Sequence, residues 1–93
     1  MYNTFMDIEF DPAKNKSNIR KHGISLADVE AVFYDPQAVT IEDRDHKEQR
    51  FVTIGIDGFG RLVVVCYSYR SETTIRLISA RKAEPRERKA YEG

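Results

Sequence analysis

The stretch from Arg50 to Arg81, RFVTIGIDGFGRLVVVCYSYRSETTIRLISAR, decides the fold. Arg50 to Ile56 alternates strictly, with Val52, Ile54 and Ile56 on one face and Phe51 and Thr53 on the other, the period of a half-buried strand. Asp57-Gly58-Phe59-Gly60 is a hairpin connection. Leu62 to Ser68 is apolar at nearly every position, which predicts a central strand covered on both faces and, across so short a turn, antiparallel to the first. Arg70 to Thr73 turns the chain again, and Thr74 to Arg81 forms a further strand. The centre of the molecule is therefore a run of antiparallel strands joined by short turns.

Towards the N-terminus, Ala38 to Ile41 is a short β-like run, followed by a charged loop from about Glu42 to Gln49. Met6 to Phe10 alternates apolar and acidic residues and predicts a short strand. Asp11-Pro12 then reads as an N-cap with proline at the first helical position, opening a helix to about His22 that Gly23 closes in the left-handed conformation. Ser25 caps a second predicted helix, with Asp28 as a weak capping-box partner. Leu26, Val29, Val32 and Phe33 recur along it at helical spacing, and Asp35-Pro36 ends it. Beyond the central strands, Glu84-Pro85 starts a short helix through Tyr91, with Glu87 at its third position. The expected architecture is α+β: an antiparallel sheet of about four strands, two N-terminal helices and a short C-terminal helix, in one domain spanning residues 1–93.

Composition bounds the function. With 93 residues, 41% of them hydrophobic and ten of them aromatic, the chain can build one core. The single cysteine, Cys66, forms no disulfide framework, and the longest apolar run, Leu62 to Tyr67, is too short to span a bilayer. The polar N-terminus (Tyr2, Asn3, Asp7, Glu9) does not read as a signal peptide, so a soluble cytoplasmic domain away from membranes is expected. Fifteen basic and fifteen acidic residues cancel, but residues 1–49 hold six basic and ten acidic side chains while residues 50–93 hold nine and five. Lys14, Lys16, Arg20 and Lys21 stand without an acid between Pro12 and Ala27, and the segment EDRDHKE from Glu42 to Glu48 is mainly acidic. Two basic segments bracket an acidic loop. Such runs are commonly solvated faces, so charge alone assigns no ligand.

The first helix has little apolar content beyond Ala13 and Ile19, although a helix normally docks through an apolar stripe. Lys14, Asn18 and Lys21 share one polar face at i, i+4 and i+7, with His22 in the last turn; that face could meet phosphate or simply face water. On the last strand, strict alternation puts Ile75, Leu77, Ser79 and Arg81 on one face and Arg76 on the other, so Arg76 and Arg81 share a face only across a bulge. Arg70, Arg76 and Arg81 with Tyr67 at strand ends are the groups a metal-free phosphodiester site would use, guanidinium holding phosphate oxygens in a fork; pairing with the acids of the first half is the structural alternative.

Metal chemistry finds little support: His22, His46 and Cys66 are scattered, and Asp43, Asp45 and Glu48 lack the glycine and terminal glutamate of a calcium loop. No cofactor motif, nucleophile elbow or phosphate loop is present. Residues 12–33 look like a helix-turn-helix, but the second helix, SLADVEAVF, carries Asp28 and Glu30 and no basic residue, a poor reader of DNA.

Three blocks in order, DPAKNKSNIRKHGIS, RFVTIGIDGFGRLVVVCYSYR and IRLISARKAEPRERKAYE, resemble the BrnT family of bacterial toxins over nearly the whole chain. That family is similar to the RelE-like ribonuclease toxins. The resemblance implies RNA cleavage that blocks translation, neutralisation by a BrnA antitoxin, and DNA contact only through that antitoxin. The positions matching the family's recurrent residues are Lys14, Asn18, Lys21, His22 and Gly23, then Arg50 and Tyr67 to Arg70, then Arg76, Ser79, Arg81, Glu87 and Tyr91. Site expectations follow. Arg70, Arg76 and Arg81 contact the phosphate and its transition state; His22 or Tyr67 transfers protons, with Glu87 as the alternative base; Lys14, Asn18, Lys21, Arg50 and Ser79 bind RNA. A hetero-oligomer with the antitoxin, as a heterotetramer, is expected, and net neutrality leaves room for RNA presented on the ribosome. The competing reading is a non-catalytic module that only grips a partner chain or nucleic acid.

Overall fold

The computed structural model describes residues 6–44 and 47–93; Tyr2, Asn3, Asp45 and His46 lie outside the described residues. In chain order come β1 (Asp7–Glu9), α1 (Pro12–His22), two short 3-10 turns (Leu26–Asp28 and Glu30–Tyr34), β2 (Val39–Asp43), β3 (Arg50–Ile56), β4 (Leu62–Tyr69), β5 (Thr74–Lys82) and α2 (Pro85–Glu92). They build a five-stranded sheet in the order β1-β5-β4-β3-β2. Strands β2 to β5 form the predicted antiparallel succession, whereas β1 runs parallel to β5 with Ile8 opposite Ile75. The sheet is thus mixed and one strand larger than expected from the sequence. Alternation in MDIEF reports which side chains face the core but carries no information about strand direction.

Strand β4 is covered on both faces, as its continuous apolar run predicts. Val63, Val65 and Tyr67 pack with Ile75, Leu77 and Ala80 beneath Ile24, Leu26, Val29 and Val32. On the opposite face Ile54, Leu62 and Val64 meet Val52, Ile56, Ala83 and Tyr91 of α2. Burial of these aliphatic side chains, at about 1.5–3 kcal/mol each, is the main driving force for the fold.

The second predicted helix is instead the pair of 3-10 turns, broken at Val29 (φ −106°, ψ 4°). Leu26, Val29 and Val32 are its buried residues, spaced by three. In a 3-10 geometry side chains three apart eclipse, so this spacing puts all three on the core side. Two β-branched valines in that row also lower the preference for an α-helix. Gly55 lets the turns approach the sheet: a Cβ there would lie 3.0 Å from Val32 Cγ1 and 3.3 Å from Asp35 Oδ2.

The ends of α1 match the sequence reading, with Asp11 accepting from the Ala13 amide at 2.9 Å and Gly23 closing the helix at φ 71°. Its weak apolar stripe is replaced by two asparagines. Asn15 accepts from the Leu26 amide at 2.7 Å and donates to Ser25 Oγ at 3.1 Å. Asn18, buried, accepts from the Ala80 amide at 3.1 Å and donates to the carbonyls of Ala80 at 2.9 Å and Ile24 at 2.8 Å. Strand β1 pairs only with Thr74 to Arg76 of β5, so the Asn18 amide substitutes for the missing strand further along that edge.

Candidate active site

Docking α1 against β5 leaves a cleft of about 200 Å³ lined by Lys14, Ser17, Asn18, Lys21, His22, Ile78 and Ser79. Every charged side chain in it is a cation. The helical period brings Lys14, Asn18 and Lys21 to one face, and the Asn18 hydrogen bonds turn that face towards β5. Because both Asn18 N–H donors are used by backbone carbonyls, its amide forms the floor while the two lysines and His22, all exposed, form the rim. Lys14, Asn18, Lys21 and His22, which helical spacing draws to one side of α1, and Ser79, singled out separately as an RNA contact, line this one cleft; Arg50, expected with them to bind RNA, does not. Ser17 joins them without having been singled out, at i−4 from Lys21.

The sheet side of the cleft is shaped by a bulge. Cys66 pairs with Ser79 but Tyr67 with Leu77, leaving Ile78 as the extra residue of β5. The slip also moves Arg76, opposite Ser68, onto the same sheet face as Arg81, opposite Val64. These two arginines remain about 13 Å apart along the strand, four strand steps.

The arginines do not converge. Arg81 is held by Glu87 through two hydrogen bonds of 2.8 and 2.7 Å, and Glu87 also accepts from the Glu84 amide at 2.8 Å in the capping box of α2. The Arg81 guanidinium holds the Glu87 carboxyl below the usual carboxylate range, so Glu87 is a poor proton acceptor, tied to the strand–helix corner. Arg70 pairs with Glu9 at 3.1 Å. Arg50 lies on β3, two strands from the cleft, and binds Glu48 Oε1 at 3.0 Å. Only Arg76 among the four has no carboxylate partner within the described residues, and it lines a second cleft with Glu9, Phe10 and Asp11.

Tyr67, expected as a proton donor or acceptor, is a core residue 3% exposed. Its hydroxyl shares a 2.8 Å hydrogen bond with Thr53 Oγ1, which in turn meets Thr40 Oγ1 at 2.9 Å, and Phe33 packs edge-on against its ring. Burial pushes the phenol further above its ordinary value. The sequence placed Tyr67 near a strand end; the strand continues to Tyr69, and the side chain points into the aliphatic core. It has no path to a dissolved phosphodiester.

Among the described residues no three of the His, Cys, Asp and Glu side chains are grouped to share an ion, and no helix is long and apolar enough to cross a membrane. Fold and site together define a small mixed-sheet α+β protein with a cationic helix laid along one sheet edge. Its relatives identify the class further. The family model described as the ribonuclease toxin, BrnT, of type II toxin-antitoxin systems matches residues 10–87, and the chain belongs to this family. It is a ribonuclease toxin of that class, and an antitoxin is the implied partner. The crystal structure of the Brucella abortus ribonuclease toxin, BrnT, superimposes with a TM-score of 0.68 at 25% sequence identity, covering 85% of this chain and 97% of that one. No match was found among curated proteins.

Proposed function

We propose that the α1–β5 cleft is where this ribonuclease holds and cuts RNA, without a metal. The carrying observation is the convergence of Lys14, Lys21 and His22 from one helix face onto a bulged strand. Ammonium groups repel a metal ion but attract a phosphodiester, and phosphate contacts dominate nucleic-acid affinity. In the proposed step the ribose 2′-oxygen attacks the adjacent phosphorus, the bond from phosphorus to the 5′-oxygen breaks, and a 2′,3′-cyclic phosphate remains. The 2′-hydroxyl proton passes to His22 and is returned to the departing 5′-oxygen, so no net proton is gained or lost. His22 is the side chain at the cleft of the type that moves protons at neutral pH, and Lys14 and Lys21 neutralise charge that builds on the phosphoryl oxygens. Ser79 offers a hydroxyl at the strand wall. Arg76, at the neighbouring cleft, supplies a further phosphate contact; Arg81 with Glu87 holds α2 against β5.

The remaining expectations belong to the same proposal: a BrnA-like antitoxin in a heterotetramer, action in the cytoplasm, and RNA met on the ribosome. The mixed charge supports the last, because a neutral protein concentrates naked RNA weakly and gains from a substrate already positioned. The test is 5′-end mapping of RNA after induction without antitoxin, for the wild type, Lys21→Ala and His22→Ala. His22→Ala is expected to lose about a hundredfold in cutting and Lys21→Ala about tenfold, each with an unchanged melting temperature. Full activity in both variants would move the site elsewhere.

A further inference from the structure

The second cleft opens between the start of α1 and the first residues of β5. It measures about 270 Å³ and is lined by Glu9, Phe10, Asp11 and Arg76. It differs in chemistry from the cationic cleft: two carboxylates, an aromatic ring and a guanidinium face one space large enough for a nucleobase. It is also its direct neighbour. Arg76 precedes Ile78 and Ser79 by two and three residues on β5, and Asp11 precedes Lys14 by one helical turn, so both clefts are lined from β5 and from α1 or its cap.

We infer that this second cleft is a base subsite for the ribonuclease, selecting guanine next to the scissile phosphate. The inference rests on the α1–β5 cleft as the cutting site. Guanine is the one RNA base whose Watson–Crick edge presents two adjacent N–H donors, N1–H and N2–H, which a carboxylate accepts together. Adenine and cytosine place a ring-nitrogen acceptor beside their amino group, and uracil flanks its single N–H with two carbonyls, so each of them sets an acceptor against the carboxylate. Glu9 is equipped for this: one oxygen holds Arg70 at 3.1 Å, which fixes the side chain, and about half of the side chain remains open to solvent. Asp11 uses Oδ1 to cap α1 and adds negative charge to the same wall. Phe10 packs part of its ring on the core and lines the cleft as a stacking surface. Arg76, with no carboxylate bound among the described residues, keeps its guanidinium for the phosphate beside that base.

The test is 5′-end sequencing of total cellular RNA after induction of the chain without antitoxin, with the bases flanking every cut counted. The wild type is expected to show guanine enriched at one fixed position beside the cut. Glu9→Gln presents an N–H to those donors and should reduce the ratio of guanine-flanked cuts to others by about tenfold. Asp11→Asn, which still caps the helix, should reduce it less. Lys21→Ala should slow all cuts alike and leave the base preference intact, so failure of the cutting site and failure of the base subsite read differently. A wild type without guanine preference, or a preference that survives in Glu9→Gln, would overturn the inference.

Discussion

Two strands of the sheet outrun their neighbours, and each is finished by a side chain from the layer above. On β5, beyond the short β1, the Asn18 amide pairs with both the N–H and the carbonyl of Ala80. On β3, beyond the end of β2, the Asp35 carboxylate accepts the Ile56 amide at 2.9 Å and, from α2, the Tyr91 hydroxyl at 2.7 Å. An amide both donates and accepts, so it can replace a strand completely and does so at any pH. A carboxylate only accepts, and only while ionised is it at full strength. The permanent latch sits under the cationic cleft, and the acid-sensitive one holds the C-terminal helix.

The largest effect is expected at the first latch. Asn18→Ala strands the Ala80 N–H and two carbonyls in a buried position and should cost about 3 kcal/mol, a fall in melting temperature of about 15 °C. Asn18→Asp should be no better, since a carboxylate cannot donate to either carbonyl. Thermal unfolding of both variants checks this; a loss of only a few degrees in Asn18→Ala would show that the helix docks by other means.

Next comes the approach to the second latch. Gly55→Ala drives a methyl group against Val32 and Asp35 and should destabilise by about 1–2 kcal/mol. Denaturant titration would reveal it as a lower midpoint at constant slope.

A smaller but pH-dependent change is expected for Asp35 itself. The Ile56 amide, then the Tyr91 hydroxyl and the Gln37 amide, hold its carboxyl below the usual value. A folded-state pKa below the unfolded one means that the stabilisation is fully present above about pH 4 and is lost as pH falls through the folded value. Glu87, held down by Arg81, adds to the same slope. Asp35→Asn should therefore lower stability at pH 7 and flatten its decline between about pH 4 and pH 2. An unchanged acid slope would remove Asp35 from the account. Smallest of all, Tyr91→Phe should leave the sheet intact and loosen α2 alone, seen as faster amide exchange confined to residues 85–92.

Much of this was legible in the chain. Arg50 to Ile56 is a strand with the predicted limits, and the hairpin at Asp57 to Gly60, the Asp11-Pro12 and Gly23 ends of α1 and the Glu84-Pro85 start of α2 with Glu87 at its third position all stand where local chemistry puts them. These features depend on neighbours within a few residues, which a sequence displays directly. The 3-10 turns read as a helix in the sequence because Leu26, Val29 and Val32 satisfy the first steps of both periods, and packing under Gly55 chooses between them. The site was half legible. Lys14, Lys21 and His22 share a helix face by spacing alone, but Asn18 on the same face reads as a ligand contact when it is the tether of the helix.

By itself, then, the sequence determined the strands, the helix ends, the cationic helix face and, through three ordered blocks, membership of a ribonuclease toxin family. Only the tertiary structure decided that β1 runs parallel, that Tyr67 is core, that Arg81 belongs to Glu87, and that the Ile78 bulge turns Arg76 to the face of Arg81. Each of those outcomes depends on a partner far along the chain or on a one-residue slip of register. Such a slip exchanges the two faces of a strand without changing a single residue of its pattern.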